Sequence, residues 1–196
     1  MSLHLSYDDL TALRQRILRG ELSIEQAGSQ YSLNELAEAL RMTRATAQAL
    51  VDAWSPEQLM WQPPAAKSES ASNGEDRWSA TEAITHIIAT ENWYLMHMGR
   101  LVGKREHFDV MPRGLGDHAN NDVPKSALAT QLNTATERML TDIAAIPADA
   151  DLSAQRDSIF FGNLSLRGWV MLAIVHDLDH TAQIQRLTEQ PGFPVS

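Results

Sequence analysis

His176 and His180 stand four residues apart. On a helix that spacing sets two imidazoles about 40° apart in projection and roughly 6 Å apart along the axis, close enough to chelate one metal ion. The same stripe reads Trp169, Leu172, Ala173, His176, His180, Gln183 and Leu187, an apolar face interrupted at its middle by three polar side chains. Polar groups on a core-facing stripe need partners, and a shared ion supplies them. Histidines spaced by four are common by chance, so the competing reading is a pair that faces solvent or simply hydrogen-bonds. A third ligand would strengthen the first reading, and His86 offers it, on a stripe with Glu82, Ala83, Thr90 and Trp93. Alone, His86 reads first as a satisfied core histidine; beside His176 and His180 the ligand reading takes precedence.

An ion on three histidines keeps a coordination position open and lowers the pKa of a water or thiol bound there toward neutrality. That chemistry suits hydrolysis, thiol transfer, or isomerisation through a thiol adduct. The chain contains no cysteine, so a reacting thiol must arrive as a cosubstrate, and disulfides, thiolate catalysis and iron–sulfur ligation are excluded. No catalytic side chain is singled out by spacing. A ligating imidazole gives its other N–H to a carboxylate or carbonyl, which makes Asp179 and Gln183 candidates for orienting His176 and His180. Glu91 lies about 140° from His86 around the helix and is expected to pack or hydrogen-bond rather than ligate. His97 returns to the His86 face roughly 16 Å further along and is read as structural. His4, His107 and His118 fall in connecting or terminal segments and are expected to be exposed, with His118 able to approach the open end of a bundle site. Asp177 is expected to be solvated.

The elements that position these residues are helical. Asp8 to Arg19 carries Leu10, Leu13, Ile17 and Leu18 at helical spacing, and Ser23 to Gln26 offers a second, smaller capping pattern. Ser32-x-x-Glu35 is a capping box opening a long amphipathic helix that ends before Ser55-Pro56. Ser79-x-x-Glu82, preceded by Trp78 in the position of a hydrophobic staple, opens another through about Val102, with Gly103 beyond it. A third runs from Pro124 to Pro147 and a fourth from Leu164 to about Glu189, stopped by Pro191-Gly192. Gln62 to Arg77 and Lys104 to Val123 read as long connections, and Ala148 to Asn163 as a loop with Ser158 to Phe161 locally extended. No segment sustains period-two alternation, so a sheet is not expected. Four long helices with two long connections imply an all-α four-helix bundle over residues 32–196, with an N-terminal helical arm over 1–31.

The ordered set Trp78-Ser79-x-x-Glu82-x-x-x-His86-x-x-x-x-Glu91, then His176-x-x-x-His180-x-x-Gln183-Ile184, then Gly192-Phe193-Pro194 resembles the DinB superfamily, the damage-inducible and YfiT-like metal-dependent hydrolases. The resemblance covers about Ser32 to Pro194. It implies a bundle of down-up-up-down order holding a divalent ion, zinc or nickel, on His86, His176 and His180. It also implies dimerisation through bundle helices and kinship with thiol-dependent enzymes such as mycothiol-dependent maleylpyruvate isomerases and bacillithiol S-transferases.

Sixteen basic against twenty-five acidic residues give a formal charge of −9, which disfavours nucleic acid or an anionic membrane as partner. No run of apolar residues is long enough to span a bilayer and the first residues lack a signal pattern, so a cytoplasmic location is expected. The expectation is therefore a metal-dependent hydrolase, or a thiol S-transferase or isomerase, acting on a small molecule as a homodimer. The alternative is a non-catalytic metal-binding or stress-associated interaction module on the same bundle, and a further one is a bundle in which the three histidines bind no metal.

Overall fold

The computed structural model describes residues 5–64, 77–103 and 119–195. Helices α1 (Tyr7–Leu18), α2 (Ile24–Gly28), α3 (Leu33–Ala53), α4 (Pro56–Met60), α5 (Ala80–Leu101) and α6 (Lys125–Ala144) are followed by two short strands, β1 (Arg156–Asp157) and β2 (Asn163–Leu164), and by α7 (Leu166–Leu187). Capping boxes at Ser6, Ser23, Ser32, Ser55 and Ser79 fix where five of these helices begin, each serine and its partner three residues on satisfying one another's orphan N–H groups. Ser165 caps α7, but there the returning carboxylate comes from another element: Glu25 of α2 accepts from the Ser165 N–H at 2.8 Å and from its hydroxyl at 3.0 Å.

Long helices α3, α5, α6 and α7 form the bundle, with α3 and α5 each packed on both α6 and α7. Its core divides into two layers, which show the direction of each helix. One layer holds Leu36 and Leu40 from the start of α3, Trp93 to Met98 from late in α5, Met139 to Ile143 from late in α6 and Leu166 to Leu178 from the first half of α7. The other holds Ala47 and Val51, Ala80 to Ile87, Leu128 and Leu132, and Ile184 and Leu187. Thus α3 and α7 run one way and α5 and α6 the other, which is the down-up-up-down order. The long connection after α5 makes that parallel pairing of α5 with α6 possible.

Leu10 and Leu13 of α1 and Ile24 and Ala27 of α2 belong to the first layer of the same core. The contact of α2 with α7 is backbone-close at Gly28, where a Cβ would come within 2.6 Å of the Arg167 carbonyl oxygen, so glycine there is what lets the two elements touch.

Two features depart from the expected elements. Short helix α4, with Pro56 in its first turn, was not anticipated beyond the long helix before it. A sheet was not expected either, yet β1 and β2 pair antiparallel through Arg156 with Leu164 and Asp157 with Asn163. The hairpin is too short for alternation to register, and Ser158 to Phe161 forms its tip rather than its strands. His4, His107 and His118, and most of both long connections, lie outside the described residues. Among the described residues no helix is long and apolar enough to cross a membrane.

Candidate metal centre

Antiparallel packing of α5 on α7 sets the second turn of α5 against the middle of α7, which brings His86 to His176 and His180. The Nε2 atoms of His86 and His176 are 3.0 Å apart, and one ring nitrogen of each of the three histidines lies within 4.8 Å of the others. His86 and His180 are buried, whereas the His176 side chain keeps 19% of its exposure. That opening gives the cluster one accessible side.

His180 Nδ1 lies 2.8 Å from Gln183 Oε1. An amide oxygen only accepts, so Nδ1 carries the proton and Nε2 presents its lone pair. Burial, reinforced by the neighbouring His176, lowers the His180 pKa to about 4 against the opposing effects of Gln183 and Asp177. The ring is therefore neutral at pH 7, the form a metal ligand requires. Three convergent imidazole nitrogens, one held in the correct tautomer, could hold a metal ion, for which neutral imidazole is a suitable ligand.

Behind His176 stands Asp177, whose Oδ1 is 3.7 Å from His176 Nδ1. Asp177 is fully buried, contrary to the solvated position expected for it, because α7 is covered by α3 as well as by α5. The guanidinium of Arg44, on α3, meets it: Arg44 Nε donates to Asp177 Oδ2, and Arg44 Nη1 donates to Glu91 Oε2 at 3.2 Å. Arg138 Nε donates to the other oxygen of Glu91 at 2.8 Å. Burial opposes the charge on Asp177, but Arg44 and the contact with His176 outweigh it and hold its pKa below the usual carboxylate range. Burial likewise opposes the Arg44 charge, and Asp177 and Glu91 overcome it. For Glu91 burial prevails over both arginines and pushes the carboxyl up. Glu91 thus bonds to neighbouring helices rather than to the histidines.

Asp179 points elsewhere than toward the three rings: it pairs with Arg14 of α1. Trp78, just before the α5 cap, stacks on His180 with ring centroids 5.7 Å apart and lies 4.8 Å from His86, closing one flank of the cluster. His97 is stacked on Trp169 at 4.2 Å in the other core layer, where burial, with help from Arg156 and Arg100, lowers its pKa to about 4.

The three histidines form the floor of a cavity of about 450 Å³, within the size range of small-molecule sites. Its walls take Trp93, Tyr94, Leu172 and Val175 from the bundle, and its mouth takes Leu18, Phe160 and Phe161 from α1 and the hairpin tip. Burial raises the Tyr94 pKa, with Asp177 adding to the effect, so its hydroxyl stays protonated through the neutral range.

A pH dependence follows from the two buried neutral histidines. Their folded pKa values lie near 4, below the 6.5 of a free imidazole. Below pH 6.5 the unfolded chain binds protons that the folded chain refuses, so stability present above 6.5 is lost as pH falls toward 4. In chelator, the unfolding free energy from urea titrations is expected to drop by about 5 kcal/mol between pH 7.5 and pH 4.5, about half from each ring. A flat profile over that interval contradicts the neutral, buried assignment.

A family model described as the DinB superfamily matches residues 39–184. Among solved structures, the mycothiol-dependent maleylpyruvate isomerase aligns with a TM-score of 0.61 at 10% identity, covering 80% of this chain and 62% of that one. A histidine-to-alanine variant of the same isomerase aligns at 0.62 with the same identity and coverage. At that identity the likeness is one of fold, and the chain spans about 62% of the length of these structures. No curated protein matches the chain.

Proposed function

The chain belongs to the DinB superfamily, and from that membership we propose that it is a divalent-metal-dependent enzyme acting on a small molecule, a hydrolase or a thiol-dependent S-transferase or isomerase. The observation that carries this is the convergence of three imidazole nitrogens on the floor of an open cavity. His86, His176 and His180 would hold the ion, zinc or nickel. Bound there, it supplies a positive charge that lowers the pKa of a water or thiol cosubstrate. The chain's own groups do the rest: Gln183 fixes the His180 tautomer, Asp177 backs His176, and Arg44 keeps Asp177 ionised. Trp78 excludes water from one flank, and the apolar walls exclude it around the substrate. The domain division at residue 31, a cytoplasmic location and a homodimer joined through bundle helices are part of the same reading.

Its test is turnover by zinc- or nickel-loaded protein with mycothiol, bacillithiol or glutathione and an electrophilic bimane acceptor, beside ester and amide hydrolysis probes. Metal-dependent acceleration of at least about 100-fold over the uncatalysed reaction is expected with one of them. Stoichiometric metal with no turnover of any probe would overturn the enzymatic reading in favour of a binding module.

A further inference from the structure

Part of the cavity lining comes from chain that the family match does not cover. Ile17, Leu18 and Ile24 line the cavity and all precede residue 39, where that match begins. The hairpin tip lines it too, through Phe160 and Phe161. Its backbone is pinned: the Ser158 N–H donates to the Gly162 carbonyl at 2.9 Å, Ser158 Oγ accepts from the Phe161 N–H at 2.7 Å, and Asp157 Oδ1 accepts from the Ile159 N–H at 3.3 Å. Ile159 has φ of +70°, a conformation in which a β-branched side chain is strained and which persists only where the surroundings impose it. The effect is to present Phe160 and Phe161 in a fixed arrangement. Phe160, Phe161 and Leu18 remain 63%, 49% and 56% exposed, although each lines the cavity. A pinned apolar lip around a small-molecule site is a surface waiting to be covered by what enters it.

Charge decides what that is. Among the described lining residues there is no Lys or Arg, and the one carboxylate, Asp179, is already paired with Arg14. A carboxylate or phosphate lodged against this wall would lose water without gaining a cationic donor, whereas a neutral ring loses nothing and buries apolar surface. We propose that this cavity takes an uncharged substrate with an apolar, ring-sized body, and that Leu18, Phe160 and Phe161 are the residues that select it. The inference rests on the cavity being the substrate site of the proposed enzyme and deepens that reading by naming the substrate class.

Indole and indole-3-carboxylate, matched in ring and different in charge, test it by ligand-observed NMR against the full chain, both zinc-loaded and chelator-treated. The chelated sample isolates the wall from any attraction of a carboxylate to the ion. There, indole is expected to bind about tenfold more tightly than its carboxylate, and Phe160→Ala/Phe161→Ala to weaken indole at least about fivefold with helicity and zinc uptake unchanged. Equal affinities, tighter binding of the carboxylate, or indole binding indifferent to the double variant would overturn the inference. So would a wild-type dimer that becomes a monomer in that variant, which would assign the lip to self-association. If zinc fails to bind but the preference for indole stands, the three-histidine reading falls and the wall keeps its specificity.

Discussion

Replacing Arg44 with alanine is expected to remove about 3–5 kcal/mol of stability, the usual cost of leaving a buried charge without its partner. Arg44 is 1% exposed and Asp177 and Glu91 not at all, so three ionisable groups rely on each other in a space that water does not reach. In Arg44→Ala, Asp177 has lost its cation and must either stay charged in an apolar surround or take up a proton, and a cavity opens beside it. Glu91 retains Arg138, which is half-exposed and reaches only one of its oxygens. Since a domain of this kind is stable by about 5–15 kcal/mol in all, the loss should be plain in urea unfolding followed by circular dichroism. Arg44→Lys should recover little, because one ammonium cannot reach two carboxylates from two directions as the guanidinium does. A loss below about 1 kcal/mol for Arg44→Ala would show that the network contributes nothing net.

His176→Ala is expected to lower zinc affinity by at least about 100-fold while leaving the helices in place. The position favours a clean separation of the two effects. His176 is the most open of the three histidines, it sits mid-helix where alanine is a strong helix former, and its ring contributes one of the three nitrogens that converge among the described residues. His97→Ala makes the contrast: it should destabilise, since that ring is stacked on Trp169 and meets Trp93 edge-on, and leave zinc binding untouched. Competition titration with a chromophoric chelator measures both. Unchanged zinc binding in His176→Ala contradicts the assignment of this ring as a ligand.

How much of this was legible in the sequence depends on how each signal is written there. The long helices were legible because a capping serine opens α3 and α5, while proline or glycine lies beyond α3, α5, α6 and α7. The histidine cluster was legible because a spacing of four on α7 and a histidine on the α5 stripe between Ala83 and Trp93 are one-dimensional patterns. Helix α4 leaves a local signal, since Ser55-Pro56-Glu57-Gln58 is a capping box with proline in the first turn, but five residues are too few for periodicity to register. Arg44 also left a trace, as a charge in the apolar stripe Leu36, Leu40, Ala47 and Val51. Its meaning lay in partners 47 and 133 residues away, which no local pattern encodes.

Asp177 illustrates the limit most sharply. Amphipathic reasoning assigns one buried face per helix, but α7 packs against α2, α3 and α5 together, so a residue beside the histidine stripe is as buried as the stripe itself. Nominating Asp179 rather than Asp177 as the carboxylate near His176 follows from the same assumption. The apolar lip at Leu18, Phe160 and Phe161 was invisible for a different reason, since it assembles from two segments read separately as an arm and a loop.

The measurement that bears most directly on the three-histidine site is metal content by elemental analysis of untagged protein, wild type beside His86→Ala. About one zinc, nickel or similar divalent ion per wild-type chain is the expected result, with the ion absent from the variant. An equal metal content in both, or none in either, would contradict the site and make the histidines structural.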